Sequence, residues 1–170
     1  MKYLIASDIH GNVIYFNQLL DAIKLEKPEK IFLLGDIYPY GNNFVSINEI
    51  ADKLNSLDNV RSVVGNCDYT DEIFNFEFEL DIKLTINNKL FFLTHGNRYN
   101  KKYPPKEFDV LVYGHEHEGY IIKEDNKLFV NSGSVSIPRN GSERGYLVIT
   151  DEEIILKSLE GKVLDFIKYI

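Results

Sequence analysis

The 170-residue chain has a single cysteine, Cys67, no tryptophan, and fewer basic than acidic side chains. One cysteine allows no internal disulfide, which fits a reducing cytoplasm. Lys and Arg number 19 against 26 Asp and Glu, a net charge of -7. That excess of acid argues against broad binding to nucleic acid or to an anionic membrane, since both need a basic surface. It leaves room for a small anionic substrate held by metal ions. No run approaches the roughly 20 apolar residues of a membrane span. The apolar run that follows Lys2 is interrupted by Asp8 and His10 too early for a signal peptide. The expectation is a soluble, cytoplasmic protein. With 44% hydrophobic and 26% charged residues, the composition is that of one globular domain over residues 1–170, with a real core and no linker.

What is present is organised around Lys2-Tyr3-Leu4-Ile5-Ala6-Ser7-Asp8-Ile9-His10-Gly11-Asn12, an apolar run that stops at an acid and a histidine two positions apart. It reads as a buried strand. If the chain stays extended, Asp8 and His10 share a side while Ile9 faces the core. Asn12 can cap a helix with Val13, Phe16, Leu19, Leu20 and Ile23 at helical spacing, ended by Pro28. Ile31-Phe32-Leu33-Leu34 reads as a central parallel strand ending in Gly35-Asp36. A helix from about Val45 to Leu57 leads to a strand over Val60 to Val64 and then to Gly65-Asn66-Cys67-Asp68. Phe76 to Leu80 and Ile82 to Ile86 alternate with period two, as half-exposed antiparallel strands do. Asn87-Asn88 is a hairpin turn into Leu90 to Thr94, which ends at His95-Gly96-Asn97. Val110 to Tyr113 ends at Gly114-His115-Glu116-His117. Hairpin strands near Tyr120 to Lys123 and Leu128 to Asn131 follow, then a pair near Arg144 to Thr150 and Ile154 to Leu159, and a short tail. Parallel units followed by antiparallel strands predict two packed mixed sheets with helices outside.

Five apolar strands thus end in Asp8 and His10, Asp36, Asn66, His95, and His115 and His117, a set that includes all four histidines of the chain. The carboxyl ends of strands in open α/β sheets form the ligand crevice, so these side chains are expected along one edge. Glycines at 35, 65 and 114 allow sharp turns beside them. Imidazole and carboxylate donors together suit Mn, Fe, Ni or Zn better than Ca or Mg. Seven ligands exceed one ordinary site and suffice for two ions sharing a carboxylate, about 3.5 to 4 Å apart.

Taken together, Asp8-Ile9-His10, Gly35-Asp36, Gly65-Asn66-Cys67-Asp68, Thr94-His95-Gly96 and Gly114-His115-Glu116-His117 resemble the calcineurin-like metallophosphoesterases. The Asn66-Cys67 form and the Asn131-Ser132-Gly133-Ser134-Val135-Ser136-Ile137-Pro138-Arg139 stretch look most like the small prokaryotic phosphodiesterases of that family. The resemblance covers Lys2 to about Thr150. It implies a four-layer αββα sandwich of two mixed β-sheets. By motif, Asp8, His10, Asp36 and His117 would hold one ion and Asp36, Asn66, His95 and His115 the other, with Asp36, Asn66 and His95 as catalytic residues. It further implies two divalent ions, Mn first and Ni, Fe or Zn as alternatives. A hydroxide bridging them would attack phosphorus in line.

The chain departs from the wider family in places. Cys67 stands where many relatives have a histidine that assists the leaving group, and a thiol is a poor substitute acid. Diesters or activated esters are therefore expected in preference to monoesters with basic leaving groups. Asn97 replaces a second histidine and Glu116 a threonine. Asn12, Arg98 and Asp68 are weaker substrate-binding candidates, and Tyr38, Tyr40, Phe44, Tyr69 and Tyr99 fall in loops where they could wall a pocket or stack on a nucleotide base. Phe74, Phe76 and Phe78 could equally form an oligomer surface, and a homodimer is one such assembly. Two other readings remain: a phosphomonoesterase on the same centre, and a protein-binding scaffold like the retromer subunit, which lacks parts of the metal set that is complete here.

Overall fold

A computed structural model describes residues 1–40, 45–69 and 72–169; Phe44 lies outside the described residues. The chain runs β1 (Lys2–Ala6), α1 (Val13–Glu26), β2 (Lys30–Leu33), α2 (Val45–Asn55), β3 (Val60–Val63), β4 (Phe78–Glu79), β5 (Ile82–Ile86), β6 (Lys89–Leu93), β7 (Val110–Tyr113), β8 (Gly119–Glu124), β9 (Lys127–Ser132), β10 (Gly145–Thr150), β11 (Glu153–Ser158) and β12 (Val163–Lys168). Asn12 caps α1, its side chain accepting from the Tyr15 N–H at 3.1 Å. The helix closes with Lys27 in the left-handed region at φ 49°, its N–H on the Ile23 carbonyl, one residue before Pro28. The αL turn releases the chain toward β2, and Pro28 cannot continue a helix.

Two sheets stack face to face. The larger has the order β12-β11-β10-β1-β2-β3-β4 and the smaller β5-β6-β7-β9-β8. Alternation along β1 divides the core, because Leu4 and Ala6 pack with Phe16, Leu19, Ile50 and Leu54 of the helices. Ile5 faces the opposite way, onto Phe91, Leu93, Val112 and Val130 of the second sheet. Each such buried side chain contributes about 1.5 to 3 kcal/mol. The outer face of the smaller sheet carries Phe92, Leu111, Tyr113 and Phe129, covered by Tyr99 and Phe108 from the 96–109 segment. The expected four layers are present. Among the described residues the outer layer on this side is irregular chain, and both helices lie on the larger sheet.

Local expectations change at several points. The extended pairing at Phe76 to Leu80 shrinks to β4, which lies parallel to β3. A period of two records which side is buried and not which way the neighbour runs. Arg61 anchors this edge through paired bonds to Glu79 at 2.9 and 2.7 Å. Phe74 is buried, and Phe76 and Phe78, partly exposed, stack with it against the helix layer. The tail after Leu159 is strand β12, paired antiparallel with β11. Its inward residues Leu164 and Ile167 are three apart, which hides the strand period. Helix α2 ends at Asn55, two residues before Leu57. Among the described residues no helix is long and apolar enough to cross a membrane.

Candidate metal centre

The carboxyl ends of β1, β2, β3, β6 and β7 meet at one edge, where their loops are joined backbone to backbone. Leu34 N–H donates to the Ala6 carbonyl, Asp8 N–H to Gly35, His10 N–H to Asp36 and Gly11 N–H to Ile37, at 2.8 to 3.1 Å. Across the second sheet, Gly114 N–H donates to the His95 carbonyl at 2.8 Å. The predicted ligands lie in these loops, just past the strands. Asp8, His10, Asp36, His115 and His117 have φ of 58°, 48°, 52°, 64° and 61°, all left-handed. This corrects the extended i, i+2 geometry expected for Asp8-Ile9-His10 and His115-Glu116-His117. Convergence comes from tight turns, at a cost of about 1 to 2 kcal/mol per non-glycine residue. Such strain persists only where surroundings over-determine it.

The surroundings do so here. The Asp8 carbonyl accepts the hydroxyls of Ser134 and Ser136 at 2.9 and 3.0 Å. Asp8 Oδ2 accepts the His115 N–H at 2.9 Å, and Asp36 Oδ1 the Cys67 N–H at 2.8 Å. Each carboxylate therefore spends one oxygen bracing a neighbouring ligand loop and turns the other inward. Asp8 Oδ1 lies 3.1 Å from His117 Nε2 and 3.5 Å from His10 Nε2. Asp36 Oδ2 lies 3.4 Å from His95 Nε2 and 3.8 Å from His10 Nε2. Asn66 Oδ1 is 3.0 Å from His95 Nε2. His115 Nδ1 approaches the same nitrogen at 3.2 Å, as His10 and His117 approach each other through Nε2.

Two hydrogen bonds fix which imidazole nitrogen faces inward. His95 Nδ1 lies 2.6 Å from the Leu34 carbonyl and His117 Nδ1 2.7 Å from the Ile137 carbonyl. With Nδ1–H donating to a carbonyl, Nε2 presents a lone pair, the arrangement that metal-ligating histidines use. Donor atoms of Asp8, His10 and His117 lie within 4.8 Å of one another, as do those of Asp36, His95 and His115, and of His10, Asp36 and Cys67. Among the described residues, Asp8 Oδ1 and His10 Nδ1 are buried without a hydrogen-bond partner. Buried acceptors crowded together with no donor between them suit a cation. The donor groups therefore suit divalent metal, and Asp36 belongs to two of the three.

Close approach requires glycine at all three positions: Gly35 has φ +89°, and a Cβ on it would sit 2.5 Å from the Gly65 backbone nitrogen. A Cβ on Gly65 would sit 2.2 Å from Asp36 Oδ1, and one on Gly114 would sit 2.1 Å from Ser7 Oγ and 2.7 Å from Asp8 Oδ2.

The charges in the cluster act on one another. Burial would raise the Asp8 and Asp36 carboxyls, but imidazoles at His10 and His117, and at His95, hold them below the ordinary value. Burial would lower His95 and His117, but Asp36 and Asp8 hold them above it. Burial and the neighbouring His95 push His115 down. Burial, with Asp36 beside it, pushes the Cys67 thiol up to about 12.

The weaker candidates go elsewhere. Arg98 donates to the Leu80 carbonyl and to Asp81, so its guanidinium is engaged outside the cluster. Asn12 Oδ1 serves the helix cap. Asp68 accepts N–H groups from Gly65, Asp36, Ile37 and Tyr38 at 2.7 to 3.1 Å. It joins the Asp36 and Asn66 loops and is not placed as a substrate contact. Tyr38 is buried in the core, and Tyr99 packs on Phe92 behind the second sheet. Tyr69 is exposed, edge-on to Tyr38. Tyr40 stacks on His10. Glu116 points outward to Tyr120 at 2.6 Å and Asn131 at 3.3 Å. Site residues that the sequence reading did not single out are Ser134 and Ser136, and the carbonyls of Leu34 and Ile137. The polar Asn131–Arg139 stretch after a buried strand was the signal for three of the four.

The arrangement agrees with comparisons to known proteins. The chain is 28% identical to phosphodiesterase YfcE of Escherichia coli K12, covering 94% of this chain and 92% of that one. It is 26% identical to the probable metallophosphoesterase YsnB of Bacillus subtilis, over 89% and 85% of the two chains. The solved structure of the E. coli phosphoesterase Yfce superposes with a TM-score of 0.90 at 25% identity, covering 100% of both chains. Zinc-complexed Vps29 of Entamoeba histolytica shares the fold at TM-score 0.68 and 20% identity, also over 100% of both. The family model described as the calcineurin-like phosphoesterase superfamily domain matches residues 1–153, and the chain belongs to that family.

Proposed function

We propose that the protein is a metal-dependent phosphodiesterase using two divalent ions, Mn first among them, that share Asp36. The observation that carries this reading is the convergence of five loops into two donor groups meeting at the Asp36 carboxylate. Asp8, His10, Asp36 and His117 would hold one ion, and Asp36, Asn66, His95 and His115 the other. When bound, the ions would supply an activated water between them and positive charge for the phosphoryl oxygens.

The chain's own groups set the rest. Two carboxylates against two divalent cations leave a local charge of about +2, enough to draw a phosphate into an acidic protein. The Leu34 and Ile137 carbonyls lock His95 and His117 in the tautomer that leaves Nε2 free. Asn66, which reaches both His95 and the Cys67 sulfur, offers a neutral amide where a third carboxylate would cancel needed charge. Cys67 is a poor proton donor here, because bound cations would favour its thiolate over the thiol. The leaving group must then depart largely on its own acidity. Diesters with acidic leaving groups are favoured over alkyl monoesters.

The test is hydrolysis of bis-p-nitrophenyl phosphate beside p-nitrophenyl phosphate, with Mn, after chelation, and in Asp36→Asn. Chelator-sensitive diester cleavage is expected, with a loss of about 100- to 1000-fold in Asp36→Asn, on the scale of other catalytic groups. Turnover unaffected by chelation or by Asp36→Asn would refute the reading.

A further inference from the structure

At the rim of the donor cluster, two side chains have no part in holding metal. The Tyr40 ring lies parallel to His10, with centroids 4.1 Å apart and planes 15° apart. It is 49% exposed although it covers a buried ligand. Arg139 follows Ile137, whose carbonyl orients His117, and its N–H donates to the His117 carbonyl at 2.8 Å. The backbone bond plants this arginine beside the cluster. Of the four arginines, Arg61 pairs with Glu79, Arg98 with Asp81, and Arg144 lies over the Tyr15 ring at 3.9 Å. Arg139 is exposed and has no hydrogen bond or ion pair from its guanidinium among the described residues. Its charge also bears on Tyr40 and His117, opposing the upward push on each. An unpaired cation and an uncovered aromatic ring, both seated next to a phosphate-binding centre in a protein of net charge -7, are poorly explained as surface decoration.

We propose that Tyr40 and Arg139 form the substrate-recognition edge of this centre. Arg139 binds a non-bridging phosphate oxygen, for which its planar fork is matched. Tyr40, backed by His10, stacks a planar ester substituent. The substrate class is then a phosphodiester carrying an aromatic group, either an aryl ester or a nucleotide. The inference rests on the metal-centre reading above, but binding can be measured without turnover.

Calorimetric titration of the Mn-loaded protein with adenosine 5′-monophosphate, phenyl phosphate, ribose 5-phosphate and inorganic phosphate tests it. At least one aromatic ligand should bind about 10-fold more tightly than ribose 5-phosphate, the low range of single-ring stacking. Preference for the adenosine ligand assigns a nucleotide, and preference for phenyl phosphate alone assigns an aryl ester. The advantage should vanish in Tyr40→Leu and survive in Tyr40→Phe. Arg139→Ala should weaken all four ligands by a common factor, with partial recovery in Arg139→Lys. Equal affinities in the wild type would overturn the proposal. So would a Tyr40→Leu protein that loses metal and weakens every ligand alike, since Tyr40 would then only brace His10. An aromatic preference without diester hydrolysis would sink the enzymatic reading and leave this binding edge standing.

Discussion

Replacing Asp68 by alanine should damage the protein more than any other change outside the donor set. Its carboxylate accepts the N–H groups of Gly65, Asp36, Tyr38 and Ile37, at 2.7, 2.8, 3.1 and 2.8 Å. Losing an acceptor leaves each N–H unpaired at about 1 kcal/mol or more in a partly buried position, so four sum to roughly 4 kcal/mol. For a domain of this size that corresponds to a melting point lower by roughly 8 to 16 °C. Asp68→Asn keeps one acceptor oxygen and should recover about half. Asp36 is held in a left-handed conformation by the same bonds, so freeing it should also weaken Mn binding, by about 10- to 100-fold as for other groups that orient metal ligands. Thermal denaturation followed by circular dichroism in chelator, then Mn titration at a temperature where all variants are folded, separates the two effects. An alanine variant that melts within about 2 °C of the wild type would show that water replaces the carboxylate, and the loop argument would fail.

Further outcomes follow from neighbouring groups. Ser134→Ala removes a hydroxyl that donates to the Asp8 carbonyl and accepts from Ser136 and Ile137 N–H groups; it should cost about 1 to 3 kcal/mol in chemical denaturation. An unchanged midpoint would contradict the bracing role. Gly114→Ala places a methyl on Ser7 Oγ and Asp8 Oδ2; it should abolish tight metal binding in equilibrium dialysis, and full occupancy would show that the loop can shift. In metal-free protein, His95 and His117 lie above their ordinary value. The stability this represents is complete below about pH 6.5 and is lost as pH rises through the higher folded values. His115, held low, opposes part of this trend. The metal-free melting point should therefore fall between about pH 6 and 8, while the gain on adding Mn grows, because ions compete with protons for imidazole. A metal-induced gain that shrinks over that interval would refute the account.

Much of this was legible in one dimension because burial and chemistry leave simple marks on sequence. Each ligand-bearing strand is a short apolar run that a polar donor terminates, so the ends of β1, β2, β3, β6 and β7 could be found one by one. The Asn12 cap, the Pro28 stop and the Asn87-Asn88 turn are local events set by one or two residues, and the structure shows each. What the sequence could not determine depended on partners far along the chain. β4 lies parallel to β3, where Glu79 meets Arg61, and β12 pairs with the edge that β11 offers. Arg98 was chemically eligible for phosphate, yet Asp81 claims it; Arg139, equally eligible, has no side-chain partner among the described residues, and its backbone bonds to His117. The kinds of ligand were therefore written in local sequence. Which oxygen of Asp8 or Asp36 faces inward was decided only when loops distant in sequence met: the Cys67 N–H, 31 residues from Asp36, and the His115 N–H, 107 residues from Asp8.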